Sequence, residues 1–340
     1  MVPEEWPLAA PAADRPVESA RTRGSRRLAS VRRDFFLDPA YRLTEQERAL
    51  MTAMLHDLVG AVAGEVLAAV PGNGVKAPDA ADLALRLSAS SLLDREDLVS
   101  LLLRRADEHR IATAFAGRSG PRKLPLLPRL VGDSDAAVAA AAMALVVARG
   151  RRRDAFGQPR IELNDLPASE AASLAFAVAA ALAETSDRDR RDLAAAAGAI
   201  AAAEIADESL DSAVATLAEA LEAAGRSDDG MIDAASEDGE ASLLACLLSR
   251  RAAILAETAW GYLVGGQEGG LALLARMAAL SRPTAARLFA EFGTLSGASV
   301  EEEIARFDSL SVDEVSAAHQ WWQLPASFRW ASDALGTPRG

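Results

Sequence analysis

The sequence predicts an all-α protein whose helices lie in antiparallel pairs stacked as an α-solenoid. Three observations lead there. Half of the residues are hydrophobic, alanine dominates them, and aromatic residues make up only 5% of the chain; alanine favours helix and lets helices approach closely. Apolar positions recur at steps of three and four. The helical segments are mostly 15 to 20 residues long and joined by short polar links, which makes sequential helices antiparallel neighbours.

The first strong helix signal is "LTEQERALMTAMLHDLVGAVAGEVLAAV". Thr44 caps it and Glu47 completes a capping box. Leu50, Met51, Met54, Leu55, Leu58, Val59 and Val62 form one apolar stripe, and the helix stops before "PGNG" at 71–74. Segments at 79–90 and 95–116 follow, then the prolines of "PRKLPLLPRL" mark a loop and a helix start. Further helices are expected near 134–149, 168–184, 188–205 and 208–224. The acidic, glycine-bearing "GRSDDGMIDAASEDGE" reads as an internal boundary, and seven shorter helices follow from 241 to 334. The domain reading is an N-terminal arm at 1–40, a helical array at 41–225, an acidic linker at 226–240 and a C-terminal helical subdomain at 241–335.

An internal match supports the array. Asp135, Val138, Ala142 and Leu145 recur in spacing as Asp211, Val214, Ala218 and Leu221, an offset of twice 38 residues. The midpoint register holds Ser173, Phe176, Ala180 and Ala183. A period near 38 falls between tetratricopeptide and HEAT repeats, and "LVGDSDAAVAAAAMALVVA" reads as the second helix of a HEAT-type pair. The architecture is therefore expected to be HEAT-like.

Two segments carry a family resemblance. "DFFLDPAYRLTEQERALMTAMLHDLVGAVAGEVLAAV" resembles the opening of an uncharacterised alphaproteobacterial family of HEAT-like helical proteins. "LALLARMAALSRPTAARLFAEF" with "LSVDEVSAAHQWW" is similar to its closing part. The resemblance implies the helical fold and assigns no activity.

Charge is uneven. Residues 15–33 hold seven arginines and one glutamate, a local +6 in a chain of −13, so the remainder carries −19. An acidic body repels phosphate backbones, which disfavours general nucleic-acid binding. Leu28, Val31 and Phe35 share one face, so residues 17–35 read as an amphipathic helix with a solvated basic side. The alternative is a docking arm for phosphate, lipid head groups or an acidic surface, built on Arg21, Arg23, Arg26, Arg27, Arg32 and Arg33. The proline-broken, acidic start is wrong for a secretory signal, and no uninterrupted apolar run reaches the length of a membrane span. A cytoplasmic protein is expected.

Catalytic patterns are sparse. Cys246 is the sole cysteine, which excludes an intramolecular disulfide and a cysteine-cluster zinc site. His56, His109 and His319 lie in separate helices without metal-ligand spacing. The glycines of "GYLVGGQEGG" lack the Lys-Ser/Thr of a phosphate loop and read as a turn between helices. Glu301, Glu302 and Glu303 follow Ser299 and suit the first turn of a helix. No metal, cofactor or enzymatic activity is expected.

Three features point to binding. In "ARGRRRDAFGQPR", Arg149, Arg151, Arg152, Arg153 and Arg160 cluster near a loop, where guanidinium forks suit a carboxylate-rich partner or phosphate. Trp321 and Trp322 point about 100° apart on a helix, so with Trp330 they either cover the end of the stack or anchor a partner or homodimer. Residues 271–292 are similar to a helix-turn-helix, with Arg282 and Arg287 near the second helix's start. The leading expectation is a non-enzymatic protein-binding scaffold or regulatory adaptor. A nucleic-acid groove is the alternative, and a small-molecule binder or enzyme with a pocket between helices is the third.

Overall fold

A computed structural model of the chain describes residues 44–71, 78–117, 124–204, 209–265, 269–293 and 299–336. The N-terminal arginines Arg21, Arg23, Arg26, Arg27, Arg32 and Arg33 lie outside the described residues. Sixteen α-helices and no strand occur among those described. The chain divides into two compact units between Leu247 and Leu248.

In the first unit α1 (Glu45–Ala69) is the central helix, packed against α2 (Ala80–Ala89), α3 (Glu96–Ala116), α6 (Ala168–Ala183) and α7 (Arg190–Glu204). Its start is as the sequence requires: Thr44 accepts the Glu47 N–H at 3.1 Å and the Glu47 carboxylate accepts the Thr44 N–H at 3.0 Å. Met51, Met54, Leu58, Val59, Val62 and Val66 are buried on its inner face. By length and composition α1 is long and apolar enough to cross a membrane, although charged residues interrupt its apolar runs. In this fold that apolar stripe faces the other helices.

The remaining helices are α4 (Leu126–Val131), α5 (Ala136–Arg151), α8 (Leu210–Ala223) and α9 (Asp229–Glu237), with the opening of α10 (Ala241–Arg251). The matching motifs at 135–145 and 211–221 lie on α5 and α8, and these two helices pack on one another. Val138, Ala142, Leu145, Val214, Ala218 and Leu221 are all buried. The midpoint register behaves differently, because Phe176 and Ala180 lie on the exposed side of α6. The match thus marks two helices in mutual contact.

The acidic stretch expected as a linker contains α9. Asp228 caps it by accepting the Met231 N–H at 2.9 Å, and Met231, Ile232 and Ala235 are buried. Asp228 and Asp229 serve the helix start, Asp238 accepts the Leu126 N–H and Glu240 pairs with Arg149, while Gly225 and Gly239, both at φ +67°, make the turns at either end. The division of the chain falls further on, inside α10.

The second unit contains the end of α10, α11 (Ala256–Val264), α12 (Gly270–Met277), α13 (Arg282–Leu288), α14 (Val300–Ser309), α15 (Val312–Gln323) and α16 (Ala326–Gly336). A π-helical turn at Phe289–Gly293 extends α13. The helix-turn-helix-like pair is α12 and α13. Thr284, Leu288, Phe289 and Phe292 are buried, and Arg282 is held by Asp308 at 2.8 Å. The second helix thus turns its apolar side inward, and the first of its two arginines is matched by a carboxylate.

Candidate functional site

The first unit contains a cleft of about 760 Å³. Its walls come from α3, from the end of α5 and the loop after it, from the start of α8, and from residues 237–242 between α9 and α10. Arg105, His109, Arg149, Arg152, Arg153 and Arg160 line it together with Glu108, Glu237, Asp238 and Glu240. Four of the five arginines singled out in "ARGRRRDAFGQPR" therefore converge. An antiparallel bridge between Arg153 and Pro159 closes that loop, and the Arg160 N–H donates to the Arg152 carbonyl at 2.9 Å.

The arginines fall into two groups. The first is committed to the chain's own carboxylates. Arg152 is 4% exposed; its Nε donates to both Asp165 oxygens at 2.8 and 2.9 Å, one Nη to the Ala148 carbonyl at 3.1 Å and the other to Asn164 Oδ1 at 2.9 Å. Arg105 donates to both Glu108 oxygens at 2.9 Å and to Asp211 at 2.8 Å. Arg149 makes a two-bond pair with Glu240 at 3.0 and 2.5 Å. Burial alone lowers the affinity of the Arg105 and Arg149 guanidiniums for a proton, yet the facing carboxylates more than reverse this and hold both above the ordinary arginine value.

Asp165 is the hub beneath the cleft. Its side chain is fully buried; besides Arg152 it accepts the N–H of Leu210 and of Glu162, each at 3.0 Å, and lies 4.0 Å from Arg105. It therefore ties the first turn of α8 to the loop after α5. A buried carboxylate is tolerable only with this many partners.

The second group faces the cleft without such commitment. Arg153 is exposed and has no carboxylate within ion-pair distance among the described residues. Among the described residues Arg160 has only Asp57 within ion-pair distance, half exposed and 3.6 Å away. His109 lies close to Arg153: burial first, and then the Arg153 charge, push its pKa below the ordinary histidine value. The His109 ring thus lines the cleft beside Arg153 with its neutral form favoured.

These positions correct the candidate set. Arg152, and to a lesser degree Arg149, are spent inside the fold, because carboxylates distant in sequence reach them. Arg151 is exposed and lines a smaller cavity of about 180 Å³, with Glu65, Arg160 and Glu162. There burial and the neighbouring Glu162 charge raise the Glu65 pKa. Trp322 is 8% exposed in the second unit; its indole N–H donates to the Tyr262 hydroxyl at 3.0 Å, and the Arg329 guanidinium lies 4.9 Å above its ring. It is a core residue there and presents no surface to a partner. Trp321 is partly buried, and Trp330, at 67%, is the exposed member of the three.

The glycine turn has a use that sequence patterns did not reveal. Gly269, at φ +70°, caps α12, and its N–H donates to Glu303 at 2.8 Å while Ala272 N–H donates to the same carboxylate at 2.7 Å. The anion-binding capacity of that helix start is filled by the chain's own glutamate. Among the described residues no group of histidine, cysteine and acidic side chains is placed to hold a metal.

Fold and site define an all-helical protein with an arginine-lined cleft in its first unit. No family model matches the chain, and neither a curated protein nor a solved structure matches it.

Proposed function

We propose that the protein is a non-enzymatic, cytoplasmic adaptor of HEAT-like helix pairs, and that the cleft of its first unit seats a segment of a partner protein that carries a localised anionic group. The observation that carries this reading is the placement of Arg153 and Arg160 on the cleft wall with little internal compensation, in a fold that pairs Arg105, Arg149 and Arg152 with its own acids. Guanidinium forks that lack an internal carboxylate favour an external one. The packing of α5 on α8 and of α6 on α7 supports an architecture of stacked helix pairs.

A duplex in the cleft is a weaker reading. Glu108, Glu237, Asp238 and Glu240 share its walls with the arginines and repel a phosphate backbone.

Affinity capture from native lysate, with and without nuclease treatment, tests the proposal, with wild-type protein beside the double variant Arg153→Glu/Arg160→Glu. A protein partner held by the wild type and lost by the variant is the expected result. Equal capture by both removes the cleft from the interaction. Recovery of nucleic acid that washes off with salt replaces the adaptor with the groove reading.

A further inference from the structure

The cleft's arginines divide by whether their donors already have acceptors within the fold, and the donors left over point to a ligand chemistry. Within the fold, Arg149 forms a two-bond pair with Glu240, and Arg152 meets Asp165 at 2.8 Å and Glu162 at 3.1 Å, so both guanidiniums are held by the chain's own carboxylates, each a two-oxygen, singly charged acceptor. Two forks then remain on the same cleft, those of Arg153 and Arg160, with the His109 imidazole beside the first. One carboxylate leaves such a set underused. A phosphate monoester brings three terminal oxygens and close to two negative charges at neutral pH, which calls for two cations and an additional donor.

Resting on the adaptor reading, we propose that Arg153, Arg160 and His109 form a subsite for a phosphate monoester carried on the ligand. A phosphorylated side chain of a partner segment and a small phosphorylated metabolite share that chemistry. The geometry of the cleft adds one restriction. Glu237 and Asp238 stand on the walls, so a ligand with negative charge along its whole length is repelled away from the subsite. The favoured ligand has one phosphoryl group on an otherwise neutral or basic body. Ala112 and Ala116, exposed on the same cleft wall, offer an apolar surface to that body.

The test uses the full chain, titrated with phenyl phosphate, glycerol 3-phosphate and a phosphoserine peptide, with acetate and the unphosphorylated peptide as references. Binding is followed by calorimetry and by the His109 ring signals in NMR. Phosphate monoesters are expected to bind at least tenfold tighter than acetate and to raise the His109 pKa. Arg153→Gln and Arg160→Gln are each expected to weaken them tenfold or more. Arg190→Gln, whose partner Glu184 lies away from the cleft, is expected to leave them unchanged. A peptide that binds tenfold tighter than glycerol 3-phosphate places the phosphoryl group on a protein, and the reverse order places it on a metabolite. Monoesters no tighter than acetate, or titrations that leave His109 unmoved and ignore Arg153→Gln, overturn the subsite. If the lysate partner is still captured in an Arg153- and Arg160-dependent way, the adaptor reading survives that failure. If the monoesters bind but no partner is captured, the subsite stands without it.

Discussion

Glu303 and Ala272 are joined by a 2.7 Å hydrogen bond in which a buried carboxylate accepts the backbone N–H of a helix start 31 residues earlier. The same carboxylate takes the Gly269 N–H, so α14 supplies the cap that α12 lacks in its own sequence. Glu303→Ala removes an acceptor from two donors and is expected to destabilise the second unit by about 2–3 kcal/mol, with Glu303→Gln milder. Chemical denaturation followed by tryptophan fluorescence measures it, and an unchanged midpoint contradicts the capping role.

Asp165 is the most consequential acid of the first unit. Asp165→Asn keeps the shape but leaves Arg152 and Arg105 short of a buried negative charge. A loss of about 3–5 kcal/mol is expected, the scale for breaking a buried pair from one side. A loss below about 1 kcal/mol in denaturant unfolding means that Glu162 and Asp211 suffice without it.

Gly239 is held at φ +67°, and a Cβ built there would lie 2.5 Å from Phe115 Cγ. Gly239→Ala combines an unfavourable backbone conformation with overpacking of a buried ring, so it is expected to cost at least about 2 kcal/mol. Thermal unfolding decides this, and phenyl phosphate titration of the same variant reports whether Phe115 has shifted in the cleft.

His109 provides a pH test. Burial and the Arg153 charge both favour its neutral form, so its folded pKa lies below the unfolded value. Below the unfolded value the unfolded chain therefore takes up the proton more readily, and stability contributed by this group falls as pH drops through that region. Arg153→Gln is expected to raise the His109 pKa in an NMR titration. No upward movement shows that the two side chains do not sense each other.

Helix starts were legible because capping is local: Thr44 and Glu47 act within four residues. The inner faces of α5 and α8 were legible for the same reason, since spacing along one helix decides what is buried. The acidic α9 was misread because its composition resembles a linker, and the contacts that bury Met231 and Ile232 are tertiary. At the candidate site the arginine cluster was visible and its disposition was not. Arg152 meets Asp165 across 13 residues, Arg149 meets Glu240 across 91 and Arg104 meets Asp211 across 107. Pairings at such separations leave no mark in local sequence, so they hid which arginines the fold had already used.

Arg160 belongs to the lining of both the large cleft and the small cavity that contains Glu65 and Glu162. Its side chain is thus shared by two chambers of opposite balance, one lined by several arginines and one in which Glu65 and Glu162 face Arg151. A substitution at Arg160 therefore alters the charge of two volumes at once and leaves Arg151 as the arginine beside Glu65 and Glu162.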